Sequence, residues 1–308
     1  MILYFDCDTG VDDALALAVL LAHRDVRVAG IGTVSGNTSA GRAAVNTLGL
    51  LALAGREDIE VAVGAHDPLA GGFDHDAAPV HGGNGIGGVD LPAPRRGPID
   101  RDAAELLAEL AAAHRGELHI LATGPLTNIA RALARQPRLP EFVAGVTVMG
   151  GAVRTPGNIT GHAEANIAND PEAAAAVLSA GWPVTLVPLD VTMHHRFAEA
   201  DRAALRASGT PFQVALADML LAYFDYYEPV LGERRVPLHD PLAAGIAVGD
   251  LEPADAPSLG LRVDTGTGAE RGRIAEDAGA AHRTRVVLSL ARPAGPVILA
   301  RILGAGAA

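Results

Sequence analysis

Short apolar segments alternate with segments of helical periodicity along most of the chain. Residues 26–34 and 117–122 have the apolar character of buried strands, whereas residues 41–54 and 100–114 have helical periodicity. Parallel strands joined by crossover helices produce this order, because each parallel connection needs a dozen or more residues. The pattern predicts an α/β fold, with an open, mainly parallel sheet and helices on both faces. No linker or change in composition divides the chain, so we expect one domain over residues 1–308.

Two long segments interrupt the alternation. Residues 64–99 are rich in Gly, Pro, His and Asp, and residues 152–169 are polar and rich in Asn. Loops of this length in a compact domain are usually functional or disordered. Further helices are predicted within residues 199–232, and late strands at residues 259–263 and 285–290.

The charge balance excludes several classes of partner. The 24 basic residues other than His are all arginine, and the formal net charge is −12. No basic stripe is present, which argues against a nucleic acid or an anionic membrane as partner. Cys7 is the single cysteine, so no internal disulfide is possible, and no apolar run is long enough to span a membrane. We expect a cytoplasmic protein.

The segment Asp-Cys-Asp-Thr-Gly-Val-Asp-Asp, residues 6–13, places four carboxylates within eight residues. Asp12 and Asp13 begin a predicted helix, where the helix dipole favours acidic side chains. Asp6 and Asp8 follow a predicted strand, at the sheet edge where open α/β folds bind ligands. Carboxylates this close repel unless a proton or a cation intervenes, and the run therefore predicts a Ca²⁺ or Mg²⁺ site. The alternative is an acidic cap on a solvated turn.

Other polar groups also follow predicted strands or begin the next helix, so they are expected to converge on one crevice. Each has a structural explanation when taken alone: Asn37 and Asp240 as helix caps, Thr123 as turn chemistry, and Glu164 and Asn166 as loop residues. Their joint pattern favours a functional site.

These motifs resemble those of the inosine-uridine-preferring nucleoside hydrolase family. The resemblance covers roughly residues 1–250 and rests on residues 6–14, 122–128, 148–151, 163–166 and 239–241. Two departures are Thr9, where the commonest family form has Pro, and Ala165, where a bulky aromatic is common. The family hydrolyses the N-glycosidic bond of ribonucleosides to ribose and free base, so the resemblance implies that activity and a ribonucleoside as the small-molecule substrate.

The resemblance also implies one Ca²⁺ per chain. Its ligands would be Asp8, both oxygens of Asp13, the main-chain carbonyl of Thr123, and Asp240. Hard oxygen ligands of this kind suit Ca²⁺. Asp8 would take the proton of a water bound to the cation, and Asp6 would hold Asp8 in place.

The ribose contacts that the resemblance implies form a larger set. They are Asp12, Asn166 and Asp240 at the 2′- and 3′-hydroxyls, Asn158 and Glu164 at the 5′-hydroxyl, and Asn37 and Met149 along the sugar.

At the base, the resemblance places His239 where it could donate a proton to the leaving group. His81 would also meet the base, and Tyr223 and Tyr227, one turn apart on a helix, could stack on it. The alternatives are a structural histidine and partial core packing of the tyrosines. Base preference is not fixed by these residues, and we expect it to depend on loops near residues 75–90 and 223–235. The family also implies a homo-oligomer, either a dimer or a tetramer.

Two rival functions remain at this point. A phosphohydrolase of the haloacid dehalogenase class also begins with a strand and an Asp-x-Asp turn, with Asp6 as nucleophile, Asp8 as acid and Mg²⁺ as cofactor. That class normally needs a downstream basic residue, usually lysine, and the chain has none. The other rival is a non-catalytic nucleoside- or ribose-binding protein, which would have no need of Asp8.

Overall fold

The computed structural model describes residues 1–73 and 77–304. The strands are β1 (Ile2–Cys7), β2 (Arg27–Thr33), β3 (Val61–Val63), β4 (Leu118–Ala122), β5 (Val143–Met149), β6 (Val184–Val187), β7 (Arg196–Ala198), β8 (Arg235–Pro237), β9 (Pro253–Asp255), β10 (Ser258–Leu259), β11 (Leu261–Val263), β12 (Ile274–Glu276), β13 (Thr284–Val286) and β14 (Ser289–Leu290).

The helices are α1 (Val11–Ala22), α2 (Ala40–Leu53), α3 (Ala78–His81), α4 (Ala103–Ala113), α5 (Thr127–Arg135), α6 (Ala165–Asn169), α7 (Pro171–Leu178), α8 (Leu189–Thr192), α9 (Glu199–Ala207), α10 (Pro211–Leu231), α11 (His239–Ala247) and α12 (Ala294–Gly304), with a 3₁₀ turn at Leu139–Glu141. Within the described ranges, no helix has both the length and the apolar character needed to cross a membrane.

Eight strands form the central sheet in the order β10-β13-β6-β5-β4-β1-β2-β3. All neighbouring pairs are parallel except β10 and β13, which are antiparallel. The predicted mainly parallel α/β sheet is confirmed. Strand β1 lies inside the sheet between β4 and β2, so its carboxyl end opens into the crevice between neighbouring loops.

Side chains on β1 alternate between two hydrophobic cores, as the pleat of a strand requires. Leu3 and Phe5 pack with α1, α2, α10, α11 and α12 on one face. Tyr4 packs with α4, α5 and α7 on the other face. Helices therefore cover both faces, and the strand that delivers the Asp-rich turn is fixed from both sides.

The late strands differ from the sequence prediction. The predicted strand 259–263 is divided between β10, in the main sheet, and β11, which pairs with β12. Gly260 stands at the division, where a Cβ would lie 2.1 Å from the carbonyl oxygen of Asp277. The predicted strand 285–290 is likewise divided between β13, which pairs with β6, and β14, which pairs with β9.

Residues 223–231 also differ, because they lie in helix α10 and not in a loop. Two short helices, α3 and α6, lie within the segments that the sequence left irregular. A helix of one turn has too few residues to show a period of 3.6.

Candidate active site

The turn between β1 and α1 brings four aspartates into the protein interior. Asp6, Asp8, Asp12 and Asp13 are all at most 5% exposed. Asp13 Oδ2 accepts the backbone N–H of Gly10 at 2.7 Å, which closes the first turn of α1. The acidic cap on a solvated turn is therefore wrong, because these carboxylates are away from water.

Gly10 allows a close approach of three segments. A Cβ at this position would lie 2.6 Å from both Asn37 Nδ2 and His81 Nδ1. The Nδ1 atom of His81 also accepts the backbone N–H of Val11 at 3.2 Å. The absence of a side chain at residue 10 thus lets the loop after β2 and helix α3 pack against the Asp-rich turn.

Asn37 holds two of the aspartates. Its backbone N–H donates to Asp8 Oδ2 at 2.7 Å, and its Nδ2 donates to Asp8 Oδ1 and to Asp13 Oδ2, each at 3.1 Å. Helix α2 is capped by Ser39, whose Oγ accepts the N–H of Arg42. The capping role considered for Asn37 is wrong, and its contacts place it between Asp8 and Asp13.

Three carboxylates form a group that could hold a metal ion. One oxygen from each of Asp12, Asp13 and Asp240 lies within 4.8 Å of the other two. Oδ1 of Asp12 and Oδ2 of Asp240 are buried, and neither accepts a hydrogen bond from the described residues. Buried anionic oxygens without partners are costly, and a hard divalent cation bound by oxygen ligands removes that cost. The donor set therefore fits a cation such as Ca²⁺.

The other two expected ligands adjoin this group. Thr123 Oγ1 donates to Asp13 Oδ1 at 2.7 Å, and the Thr123 carbonyl accepts Asn166 Nδ2 at 2.8 Å. A carbonyl oxygen has two lone pairs, so it retains one acceptor position. Asp8 lies beside Asp13, to which it is linked through Asn37, and is not a member of the group of three.

The pKa values of these carboxyl groups are shifted upward in the metal-free protein. Burial raises the pKa of Asp12 to about 6. Burial, followed by the neighbouring charge of Asp13, raises the pKa of Asp8 well above its usual value. The pKa of Asp240 is raised in the same direction by burial and then by the charge of Asp12. A cation would reverse these shifts because it favours the charged form of each group.

Asp6 makes contacts other than the one expected. Its carboxylate accepts hydrogen bonds from the Tyr4 hydroxyl at 2.9 Å and from Asn128 Nδ2 at 3.2 Å. Its main-chain carbonyl accepts the N–H of Thr123 at 2.9 Å. Among the described residues, no hydrogen bond joins the carboxylates of Asp6 and Asp8. Asp6 therefore ties β1 to β4 and α5, and its link to Asp8 is through the main chain.

A cavity of about 310 Å³ opens beside the group of carboxylates. Its wall includes residues predicted to bind substrate, together with Thr123 and His239: Asp12, Asn37, His81, Met149, Asn158, Glu164, Asn166, Tyr227 and Asp240. Tyr223, Tyr226, Met193 and Val230 also line it. The described lining does not include Asp6, Asp8 or Asp13, which lie deeper.

One side of the cavity is polar and is formed by the loop before α6 and the start of that helix. Glu164 Oε2 accepts the N–H groups of Gly151 and Ile167, and Oε1 accepts that of Asn166. Asn166 Nδ2 also donates to the carbonyl of Met149 at 3.1 Å. The side chain of Asn158 accepts the N–H of Ala165 at 3.0 Å. These polar residues are therefore fixed in position before a substrate arrives.

The opposite side of the cavity is aromatic. Tyr223 donates to Asp12 Oδ2 at 3.2 Å and packs edge-to-face on Tyr227, with ring centroids 4.9 Å apart. The Tyr227 hydroxyl lies 3.2 Å from His239 Nε2, and the Thr192 hydroxyl lies 2.8 Å from His239 Nδ1. Burial, and then the neighbouring His81, lowers the pKa of His239 to about 3, so this imidazole is neutral at pH 7.

The sequence model of the inosine-uridine preferring nucleoside hydrolase family matches residues 3–294. The chain belongs to this family. It is an enzyme of the nucleoside hydrolase type, as the resemblance implied.

Similar proteins carry related names. The chain is 37% identical over 241 residues to the probable uridine nucleosidase 1 of Oryza sativa subsp. japonica, covering 78% of this chain and 74% of that protein. It is 39% identical over 238 residues to the pyrimidine-specific ribonucleoside hydrolase RihA of Citrobacter koseri, covering 77% of this chain and 76% of that protein. The solved structure of the purine-preferring ribonucleoside hydrolase from Gardnerella vaginalis superposes with a TM-score of 0.93 at 30% identity, over 99% of each chain.

The site of this nucleoside hydrolase disfavours the phosphohydrolase alternative. That alternative needs Asp6 as an exposed nucleophile, but Asp6 is 1% exposed and bonded to Tyr4 and Asn128. Burial also raises the pKa of Asp6 to about 7.

Several contacts of this nucleoside hydrolase had no sequence signal. Nothing in the local pattern of Thr192 or Tyr226 separates them from ordinary helix residues, and Asn128 lies in the motif of residues 122–128 without a predicted role. Tyr226 directly precedes Tyr227, and an adjacent tyrosine pair was the one available clue.

Proposed function

We propose that this nucleoside hydrolase cleaves the N-glycosidic bond of ribonucleosides to ribose and free base, in a Ca²⁺-dependent reaction. The observation that carries the proposal is the buried group of Asp12, Asp13 and Asp240, which has unpartnered oxygens and borders the cavity. Carboxylates can bind both a cation and sugar hydroxyls, whereas they would repel a phosphorylated substrate.

Asp8, Asp13, Asp240 and the carbonyl of Thr123 would hold the cation. When bound, Ca²⁺ supplies positive charge that acidifies a nearby water and neutralises the carboxylates. Asp8 accepts the proton of the attacking water, and its two contacts with Asn37 fix the orientation of its carboxylate. The water oxygen bonds to the anomeric carbon as the bond to the base breaks, through an oxocarbenium-like state.

The ribose is oriented by residues that already have fixed positions. Asp12, Asn166 and Asp240 bind the 2′- and 3′-hydroxyls, and Tyr223 holds the Asp12 carboxylate through its hydroxyl. Asn158 and Glu164 face the 5′ end, and Asn37 and Met149 line the sugar. Contacts with hydroxyl groups away from the reacting carbon can supply binding energy for distortion and orientation.

His239 donates a proton to the departing base. A donor is needed because a purine or pyrimidine is a poor leaving group as an anion. The free imidazole is neutral, with the Thr192 hydroxyl 2.8 Å from Nδ1 and the Tyr227 hydroxyl 3.2 Å from Nε2. To act as the acid, the ring takes up a second proton from water when the nucleoside binds, gives one proton to the base as the N-glycosidic bond breaks, and returns to the neutral form. Tyr227 and His81 contact the base from the aromatic side of the cavity.

Product analysis tests the proposal. Uridine and inosine are incubated with the enzyme and Ca²⁺ in ¹⁸O-labelled water without phosphate. We expect equimolar ribose and free base, with ¹⁸O in the ribose. A phosphate requirement, or release of phosphate from nitrophenyl phosphate without ribose release from either nucleoside, would overturn it.

We further propose that the chain acts as one domain over residues 1–308, in the cytoplasm and as a homo-oligomer. Cys7 is buried and is the single cysteine, so folding of the chain needs no oxidising compartment to form a disulfide. Light scattering at several protein concentrations measures the number of chains per particle, and a monomer throughout would refute the homo-oligomer.

A further inference from the structure

A second cavity, of about 260 Å³, lies beside the active-site cavity. The two share Ile159 and Ala165 in their walls, so they meet at these residues. Ile159 is 47% exposed, so its side chain offers apolar surface where the two cavities meet. The side chain of Ala165 is a single methyl group, so little protein separates the two spaces.

Several polar groups in the wall of this second cavity are already bonded to the protein. Ser35 Oγ accepts the N–H of Ala40 at 2.9 Å, and Thr127 Oγ1 donates to Asp170 Oδ2 at 2.7 Å. The carboxylate of Asp67 accepts the N–H of Phe73 at 3.0 Å. These groups therefore have less capacity to bind a polar ligand than their number suggests.

The rest of the wall suits an uncharged ring. Phe73 packs edge-to-face on His66, with ring centroids 5.4 Å apart. Pro68, Pro125 and Val34 add apolar surface. Aromatic and apolar groups gain from packing in such an environment, and an aromatic ring would extend the existing edge-to-face pair.

The charge in this cavity disfavours a phosphate. Arg271 lines it, but its guanidinium forms two hydrogen bonds of 2.8 Å with the carboxylate of Glu172. That ion pair raises the pKa of Arg271 and lowers that of Glu172, so both groups stay charged and remain paired with each other. Arg271 is the one arginine among the described lining residues, and Asp67 adds negative charge.

The shared wall is at the end of the active site that faces the sugar 5′ position. Glu164 uses both carboxylate oxygens for three backbone N–H groups, and Asn158 uses its side-chain oxygen for the N–H of Ala165. These bonds hold both side chains in place at the shared wall. A group attached at the 5′ position would pass Ala165 and Ile159 and enter the second cavity.

We propose that the second cavity admits an uncharged, ring-bearing substituent on the 5′ position of the ribonucleoside substrate. This rests on the proposed function for the orientation of the ribose. Water adds across the N-glycosidic bond as before, so the products are a 5-substituted ribose and the free base. The size of residue 165 and the packing around Ala70 determine which 5′ groups are accepted.

Steady-state kinetics with matched substrates test this inference. The substrates are uridine and inosine, their 5′-O-benzyl derivatives and their 5′-monophosphates. For the wild-type enzyme we expect kcat/KM for each benzyl derivative within about tenfold of the parent nucleoside, since apolar contact offsets the lost hydroxyl. The monophosphates should be much poorer substrates.

Two variants and one control identify the cavity. Ala70 is exposed and lines the second cavity but not the active-site cavity. Ala70→Trp should therefore lower kcat/KM for the benzyl derivatives by at least about tenfold, while kcat/KM for uridine and inosine stays unchanged. Ala165→Phe should lower the ratio of benzyl to parent kcat/KM in the same direction. Ala203→Trp, an equally large change at an exposed site on α9, should alter neither.

The outcomes separate the two proposals. Wild-type enzyme that cleaves uridine or inosine but not the benzyl derivatives overturns the 5′ cavity and leaves the proposed function intact. Benzyl derivatives cleaved equally by wild type, Ala70→Trp and Ala165→Phe would place the substituent in solvent, and this also overturns it. Failure on all nucleosides, parent and derivative, refutes the proposed function itself.

Discussion

At the scale of a single residue, Asp8 is the proposed general base that accepts the proton of the attacking water. Asp8→Asn keeps the shape of the side chain but removes its ability to accept a proton. General-base catalysis is typically worth about 10²- to 10⁴-fold, so kcat for ribose release should fall by at least about 10²-fold. Elemental analysis of the same preparation reports whether Ca²⁺ is still bound. Activity within a few-fold of wild type, with the metal retained, would assign the base to another residue.

His239 and Asp240 are neighbours with separable roles. Nitrophenolate leaves without protonation, so His239→Ala should retain most activity on nitrophenyl riboside while losing on the order of 10²-fold on inosine or uridine. Asp240→Ala should reduce both rates, because it removes a proposed cation ligand and a hydroxyl contact. Equal losses on both substrates for His239→Ala would show that His239 positions the site and does not donate the proton.

Most polar side chains that line the active-site cavity could be predicted at this scale, but their contacts could not. The Asp-rich turn and the Asn, Glu and His motifs stand out in the sequence because no cap or core position explains the whole set. The pairing of Asn37 with two carboxylates depends on how β1 and β2 align, with Cys7 opposite Thr33. Thr192 reaches His239 across 47 residues of chain, and no local pattern encodes such a contact.

At the scale of elements, the glycine-rich loop of residues 82–88 holds α3 and its His81 against α10. Gly87 has a φ of +68°, and a Cβ there would lie 2.7 Å from the carbonyl oxygen of Met219 in α10. Gly87→Ala should therefore destabilise the protein by at least about 1 kcal/mol and displace His81, lowering kcat/KM on nucleosides.

Gly83→Ala is the matched control for this substitution. Gly83 lies in the same loop, has no positive φ, and has no atom within 4 Å of an added Cβ. Thermal unfolding and nucleoside kinetics should be close to wild type for Gly83→Ala and impaired for Gly87→Ala. Equal behaviour of the two variants would show that the contact with α10 does not position His81.

The long elements could be predicted because their patterns extend over many residues. The alternation of strands with helices gave the parallel sheet, and its central strand carries Asp6 and leads into the turn with Asp8. Strands β10 and β14 could not be predicted in this way, since they have two residues each and are defined by pairing with distant strands. Their positions follow from tertiary contacts, which outweigh the local preference of a short segment.

At the scale of the whole molecule, the buried carboxyl groups link stability to pH and to the cation. Without metal, burial raises the pKa of Asp6 to about 7 and that of Asp12 to about 6, above the ordinary value of 3.8. The folded state therefore binds these protons more tightly than the unfolded state, and this stabilisation is lost progressively as pH rises from about 4 to about 7, where the folded-state groups have also ionised. Burial lowers the pKa of His81 to about 4 and of His239 to about 3, which acts in the opposite direction but is complete above about pH 6.5.

Urea unfolding of the chelator-treated protein at about pH 6.5 and about pH 8 measures this effect. The free energy of unfolding should fall over this interval, and saturating Ca²⁺ should reduce the fall because it binds the folded state and pairs with the charged carboxylates. A free energy of unfolding that rises with pH in the absence of metal would contradict the assignment of these groups.

The dependence of hydrolysis on the cation tests the account most directly. Ribose release from uridine and inosine is measured for the wild-type protein as purified, after chelation and dialysis, and after Ca²⁺ is added back, with Asp8→Asn under the same conditions. We expect that chelation abolishes ribose release, that Ca²⁺ restores it at about one ion per chain, and that Asp8→Asn stays inactive with the ion bound. Full ribose release from protein shown by elemental analysis to be free of metal would contradict it.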